Sequence, residues 1–239
     1  MMNILDAWFP KAKGLPPPFS ITEVLGAFLV FFLSYSLLLV YVQKLSPFPR
    51  EITALLVFSF LLLAYALLLR KKLRLYFASP GVLAGLKAWV IAFPLVILWS
   101  SLVETGVEWA TGEPRQEQIA VLALKDAPKG TLSFWILILY VILIVPMMEE
   151  LLFRGFLQNW LRSKLSPAFS IGLTSFIFAF FHYAPGQGIS NITIVSSLFL
   201  LSLVLGWLMF RTGSLKAPMA LHSIFNTVSV CLIFIRGEG

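Results

Sequence analysis

The sequence predicts an all-α protein, a polytopic transmembrane bundle of about seven to eight helices around a central polar cavity. Hydrophobic residues make up 59% of the 239-residue chain and charged residues only 12%, about half of what soluble domains carry. The apolar residues fall into runs that approach the length of about 20 residues needed for a helix to cross a bilayer. Later runs also contain ionisable side chains, which in a membrane protein face the bundle interior or a water-filled cavity.

Seven apolar runs account for most of the chain: residues 21–42, 52–69, 85–103, 132–148, 169–182, 192–210 and 218–235. Pro94 predicts a kink in the third run. The longest polar connection follows that run, and its residues 116–124 predict a short amphipathic helix. We therefore expect residues 1–130 to form N-terminal membrane helices with this polar connection, and residues 131–239 to form a separate helical core.

The net charge of +7 reflects basic residues that lie between apolar runs rather than in one patch. Cytoplasmic loop charges explain this distribution better than a nucleic-acid partner does. Basic residues concentrate on one side of the predicted topology, which places the N-terminus in the cytoplasm: Lys11, Lys13, Arg70, Lys71, Lys72, Arg74, Lys87, Arg154, Arg162, Lys164, Arg211 and Lys216. No organelle signal is evident, which favours a prokaryotic inner membrane. Nothing in the sequence indicates an oligomeric state.

The segment 146–155 interrupts this pattern, because Glu149, Glu150 and Arg154 follow an uncharged apolar run in helical register. An ionisable residue at the centre of a bilayer costs about 2.5–3.5 kcal/mol even on insertion scales. Glu150 and Arg154 are four residues apart, so they share one face of a helix and can pair. Glu149 points about 100° away from that pair and stays available for chemistry.

Polar residues also interrupt the fifth and seventh runs. His182 follows Phe178 by four residues, and His222 precedes Asn226 by four, which places the latter two on one helix face. A buried glutamate can act as a general base, and amide or imidazole groups can stabilise an oxyanion. The sequence contains no G-x-S-x-G or H-E-x-x-H motif, and its single cysteine, Cys231, excludes a multi-cysteine metal cluster. The simplest non-catalytic alternative is that these polar side chains only hydrogen-bond to one another between helices, an arrangement called a polar clasp below.

These three motifs, E-E-x-x-x-R at 149–154, F-x-x-x-H at 178–182 and H-x-x-x-N at 222–226, resemble the CPBP family in order and separation. That family comprises the type II CAAX prenyl proteases and their bacterial relatives, which are often called Abi proteins. The resemblance covers approximately residues 132–235 and identifies residues 131–239 as the expected CPBP-like catalytic core. It implies an intramembrane endopeptidase that cuts a membrane-associated or lipidated protein or peptide.

The resemblance also implies roles for individual residues. Glu149 with His182 would activate water, and His222 with Asn226 would stabilise the oxyanion. Glu150 and Arg154 would form the supporting pair. The family has been described both as glutamate-type and as metal-dependent, and Glu149, His182 and His222 have the residue types of a zinc site. We favour a reaction without a cofactor, because an asparagine amide is a good donor and a poor zinc ligand.

Two further interpretations stay open. One is a non-catalytic membrane protein that uses the same polar clasp for bacteriocin-type immunity or partner binding. The other is a small-solute transporter, which the absence of an internal repeat disfavours. Candidate substrates are a prenylated protein, a bacteriocin precursor or a C-terminal sorting signal. One feature fits the topology poorly: His182 ends its run on the side opposite Glu149, so we expect residues 155–168 to dip into the membrane.

Overall fold

The computed structural model describes residues 8–9, 14–41, 50–113 and 118–236, and within these ranges it contains helices and no β-strand. The N-terminal part comprises α1 (Ile21–Tyr41), α2 (Arg50–Leu68), α3 (Arg70–Tyr76), α4 (Val82–Thr111) and α5 (Ile119–Asp126). The C-terminal part comprises α6 (Leu132–Leu161), α7 (Pro167–Phe180), α8 (Ser190–Thr212) and α9 (Lys216–Arg236). The all-α class is as predicted, and α5 supplies the short helix expected in the polar connection.

Four helices in the described part of the chain are long and apolar enough to cross a membrane: Val82–Thr111, Leu132–Leu161, Ser190–Thr212 and Lys216–Ile235. Three shorter apolar helices accompany them: Ile21–Leu33, Leu56–Leu68 and Pro167–Phe180. The predicted count of seven to eight spans is therefore not confirmed. The predicted end of the first run, at residue 42, lies outside the described residues.

Helix α6 occupies the centre of the bundle, where α1, α7, α8 and α9 all contact it. The fourth predicted run ended at residue 148, but the helix continues to Leu161. It can continue because most of the polar side chains after residue 148 are buried inside the bundle, where Arg154 pairs with Glu150 and binds Ser202 and Gln158 binds the Gly206 carbonyl. As a result the acidic motif lies within a long helix instead of at its end.

Small residues bring α4 and α9 close together. A side chain at Gly85 would collide with the carbonyl oxygen of Ala217 and would lie 2.9 Å from Ala220 Cβ. Ala88 and Ala92 continue this small face of α4 and are buried. In membranes, small residues of this kind let helix backbones approach closely where larger side chains would separate them. This contact fixes the position of α9, which carries His222 and Asn226.

A proline-containing segment before α1 ties the ends of several helices together. The Tyr76 hydroxyl donates to the Pro17 carbonyl at 2.7 Å, and the Arg162 guanidinium donates to the Pro16 carbonyl. Burial raises the pKa of the Tyr76 phenol and lowers that of the Arg162 guanidinium. Phe19 of the same segment is buried against Tyr76 and Phe156. These contacts anchor α3 and the C-terminal end of α6.

Candidate active site within the helix bundle

Helix α6 is irregular on both sides of the acidic motif. Residues Tyr140–Ile144 and Leu151–Gln158 are wound as π-helix, and the α-helical stretch Val145–Glu150 lies between them. Such π-helical turns are rare and occur frequently at functional sites. The two consecutive glutamates thus lie in a short α-helical stretch. The spacing of the backbone hydrogen bonds changes from π-helical to α-helical before it and back again after it.

Pro146 explains the first of these irregular turns. The backbone N–H of Val145 donates to the carbonyl of Tyr140, five residues earlier. In the same register the Val141 carbonyl would accept from residue 146, but proline has no N–H. The side chain of Asn226 replaces that donor, because its Nδ2 donates to the Val141 carbonyl at 2.9 Å. Asn226 therefore joins α9 to the turn that precedes the glutamates.

The predicted ion pair between Glu150 and Arg154 is present and fully buried. Arg154 Nη1 donates to Glu150 Oε1 at 3.0 Å, and neither side chain is exposed. Arg154 Nη2 donates to the hydroxyl of Ser202 at 2.6 Å, and the guanidinium carbon lies 4.6 Å from the Phe178 ring centroid. Removing one member of such a pair leaves an uncompensated buried charge.

His222 lies between the two glutamates. Its Nδ1 is 2.9 Å from Glu150 Oε1, and its Nε2 is 3.8 Å from Glu149 Oε2. Because a carboxylate only accepts hydrogen bonds, the first contact assigns the proton to Nδ1. In the neutral ring, Nε2 then presents a lone pair toward Glu149. The buried ion pair therefore fixes both the orientation and the tautomer of His222.

His182 approaches Glu149 from the other side. Its Nδ1 is 2.9 Å from the Phe178 carbonyl, which only accepts, so this nitrogen also carries the proton. Its Nε2 is 3.7 Å from Glu149 Oε1. Both distances to Glu149 are too long for direct hydrogen bonds, and separations of this size are commonly bridged by water. The glutamate thus has one imidazole Nε2 beside each of its oxygens.

Glu149, His182, His222 and Asn226 line one cavity of about 540 Å³. Apolar side chains of α4, α6, α8 and α9 form much of the remaining wall, and Val121 and Leu124 of α5 also border it. The expected convergence of these four residues on one cavity is confirmed. Their individual chemical roles stay predictions.

The predicted dip of residues 155–168 into the membrane is not needed. Helix α6 runs to Leu161, a short turn follows, and α7 starts at Pro167 and packs back along α6. Helix α7 runs antiparallel to the part of α6 that follows Glu149, and the two stretches have similar lengths. His182, two residues after the end of α7, therefore lies at the level of Glu149. His182 and Glu149 were predicted on opposite sides because the fourth apolar run was taken to end at residue 148.

Glu149, His182 and His222 have the residue types of a zinc site, but their side chains are not arranged as one in the described geometry. No group of three His, Cys, Asp or Glu side chains in the described ranges is arranged to hold a metal ion. The two histidines face different oxygens of Glu149, at 3.7 and 3.8 Å. To bind zinc, the three groups would have to turn so that each has a ligand atom about 2.0–2.2 Å from one common point.

Comparison with known proteins supports the family resemblance. Residues 131–228 match the model of a family described as type II CAAX prenyl endopeptidase Rce1-like. The predicted resemblance is confirmed over these residues. An Escherichia coli protein described as an uncharacterized 24.3 kDa protein is 27% identical over 160 residues, which cover 60% of this chain and 70% of the relative. No solved structure matches the chain.

The Rce1-like segment contains all three motifs, from Glu149 to Asn226. The match supports a protease of the CAAX type, and together with the apolar helices it supports an integral membrane protein. Helices outside this segment also contribute to the cavity, since Val96 and Ser100 of α4 border it. The N-terminal part therefore helps to shape the site although the family match does not include it.

Sequence reasoning missed Ser202 and Asn191. Ser202 binds Arg154, but a serine in an apolar helix gives no indication of a partner. Asn191 fixes the loop after His182: its Oδ1 accepts from the Ala184 N–H at 3.0 Å, and its Nδ2 donates to the Ala184 and Gly188 carbonyls. An asparagine next to a glycine-rich loop is typical of side chains that bind local backbone, and this was the available signal.

The contact between Asn226 and Val141 leads to a prediction about stability, which is separate from the predicted role of the asparagine as an oxyanion donor. Asn226→Ala should lower the midpoint of thermal unfolding, because the part-buried Val141 carbonyl loses its donor at a cost of up to about 1–3 kcal/mol. Thr227→Val is the matched control, since the Thr227 hydroxyl bonds to Ser223 in its own helix. An unchanged unfolding midpoint for Asn226→Ala would show that the Val141 contact contributes nothing to stability.

Proposed function

We propose that this chain is an intramembrane endopeptidase that hydrolyses a peptide bond near the C-terminus of a prenylated or otherwise lipidated membrane protein. The observation that carries this proposal is the placement of Glu149 between the Nε2 atoms of two oriented histidines in a cavity inside the bundle. The family match, whose description names a prenyl endopeptidase, supports the substrate class.

In the proposed reaction Glu149 acts as the general base. Its carboxylate takes a proton from water while the water oxygen attacks the scissile carbonyl carbon, and His182 Nε2 accepts a hydrogen bond from the same water. The tetrahedral intermediate collapses with cleavage of the C–N bond, and Glu149 returns the proton to the leaving amine. The products are a carboxylic acid and an amine, so no covalent intermediate with the chain is formed.

His222 and Asn226 stabilise the negative charge on the former carbonyl oxygen. Asn226 has two Nδ2 hydrogens, of which the Val141 carbonyl engages one and leaves the second for the oxyanion. His222 keeps its Nδ1 on Glu150 and donates to the oxyanion from Nε2 when the ring carries a second proton. The buried Arg154 holds Glu150 in place and balances its charge.

The topology and location are part of the same proposal. We place the N-terminus in the cytoplasm of a prokaryotic cell and the bundle in its inner membrane, because basic residues concentrate on one side of the predicted spans. In this arrangement the three shorter apolar helices also enter the bilayer and bring the number of spans to seven. We retain the division into residues 1–130 and a catalytic core of residues 131–239.

Mass spectrometry of protein C-termini tests the proposed function even while the substrate is unidentified. Membranes from cells that produce the wild-type chain should contain new C-termini that are absent when the cells produce Glu149→Gln at the same level. The same termini in both samples, or none in either, would refute peptide hydrolysis. That outcome would favour the non-catalytic clasp used for immunity or partner binding.

A second measurement addresses metal dependence. We expect purified active protein to contain far less than one zinc per chain and to retain its activity in a chelator, since Glu149 presents different oxygens to the two histidines. Zinc analysis of wild-type protein and of His222→Ala provides the comparison. Stoichiometric zinc that is lost in His222→Ala, with activity of the chelated wild type restored by added zinc, would contradict the metal-free mechanism.

A further inference from the structure

The register between α6 and α8 identifies another residue beside the candidate catalytic glutamate. Arg154 bonds to Ser202, and Gln158 bonds to the backbone of Gly206. Each pair is separated by 48 positions in the sequence. Because both residue numbers increase together, the two helices run in the same direction. Carried five residues back along both helices, the same offset leads from Arg154 and Ser202 to Glu149 and Ser197.

The cavity supports this register independently. Ser197 lines the same cavity as Glu149, His182, His222 and Asn226. Its neighbours Ile194 and Leu201, which share its face of α8, line the cavity as well. Ser197 thus lies on the wall of the site that α8 provides.

The hydroxyl of Ser197 differs from three other hydroxyls of α8 and α9 that bind their own helix. Ser196, Thr212 and Ser229 each donate to a carbonyl of their own helix. Ser197 Oγ is buried and has no hydrogen-bond partner among the described residues. A buried hydroxyl without a partner destabilises the protein, and that cost is recovered when a hydrogen-bond partner binds. Since no hydrogen bond restrains it, rotation about χ1 can turn this hydroxyl into the cavity.

We propose that Ser197 donates a hydrogen bond to the scissile carbonyl of the substrate and is a further catalytic residue of the peptidase. The inference rests on the proposed function. It also fits the number of donors in the site, because Asn226 shares its amide with Val141 and His222 uses Nδ1 to bind Glu150. The Ser197 hydroxyl supplies a donor that, unlike those of Asn226 and His222, is not already shared with another group of the protein.

Enzyme kinetics with a synthetic peptide test this role. The peptide spans a Glu149-dependent cleavage site that the mass spectrometry of protein C-termini has identified. Ser197→Ala should lower kcat about 10²–10³-fold with little change in KM, as loss of an oxyanion-hole donor does. Ser197→Thr keeps the hydroxyl and should retain most of the activity. Ser196→Ala is the matched control, since Ser196 Oγ donates to the Thr193 carbonyl at 3.2 Å, and it should behave as wild type.

Several outcomes would overturn the inference. Wild-type kcat in Ser197→Ala, measured where Glu149→Gln is inactive, would remove Ser197 from the mechanism and leave the proposed function intact. A fall in activity that follows a lower unfolding midpoint would assign Ser197 a structural role. The absence of any Glu149-dependent cleavage would refute the proposed function, and the role of Ser197 would fall with it.

Discussion

Replacing Glu149 with glutamine should lower kcat by about 10²–10⁴-fold, the range that general acid–base catalysis contributes. Glutamine keeps the size of the side chain and its carbonyl oxygen, but it cannot take a proton from water. The His182 and His222 rings keep their Nδ1 contacts with Phe178 and Glu150, so the rest of the site should stay in place. Steady-state kinetics of purified protein in detergent micelles measure the effect.

The unfolding midpoint provides the control for this variant. Glu149 is 23% exposed and makes no short ion pair in the described structure, so Glu149→Gln should unfold within a few degrees of wild type. His182→Gln, which removes the other group expected to bind the water, should also reduce kcat without a large loss of stability. Normal activity of folded Glu149→Gln would show that another group is the base.

The sequence was sufficient to predict which polar residues lie together, because helical periodicity determines which residues share a face of a helix. The spacing of four residues from Glu150 to Arg154 predicted the buried pair, and the same spacing placed His222 and Asn226 together. The cost of ionisable groups in hydrocarbon then required these motifs to meet inside the bundle. Both arguments are local or depend on composition, so they hold whatever the tertiary structure is.

Features that depend on register between helices were not predictable in this way. The irregular winding of α6 follows partly from Pro146, but the donor that replaces its missing N–H comes from α9. The contact of Arg154 with Ser202 depends on how α6 and α8 are aligned, and a serine within an apolar run carries no mark of that alignment. The end of α6 was misplaced because buried polar residues resemble a loop in a hydropathy profile.

The fold itself restricts what the site can bind. The cavity extends from Glu149 to α5, whose Val121 and Leu124 border it, and apolar residues of α4 and α9 form its sides. Such a surface suits a lipid-modified or transmembrane segment better than a soluble peptide, because polar backbone in an apolar cavity needs partners. Hydroxyl groups on α8 can provide such partners for a bound peptide.

The second large effect is expected on stability and concerns Arg154. Arg154→Met should reduce the free energy of unfolding by about 3–5 kcal/mol, because it leaves Glu150 charged in a site with no exposure to solvent. The Ser202 hydroxyl loses its bond to the guanidinium in the same variant. Thermal unfolding in detergent micelles should show a clear fall in midpoint, and activity should fall as His222 loses its fixed partner.

A double variant distinguishes a stranded charge from a loss of packing. Adding Glu150→Gln to Arg154→Met removes the uncompensated charge but keeps an oxygen that accepts from His222 Nδ1, so part of the stability should return. Lys71→Met removes an exposed charge and should leave the free energy of unfolding within about 0.5 kcal/mol of wild type. Equal destabilisation in the single and double variants would show that Arg154 stabilises the bundle through its contacts with Phe178 and Ser202, with the ion pair contributing nothing.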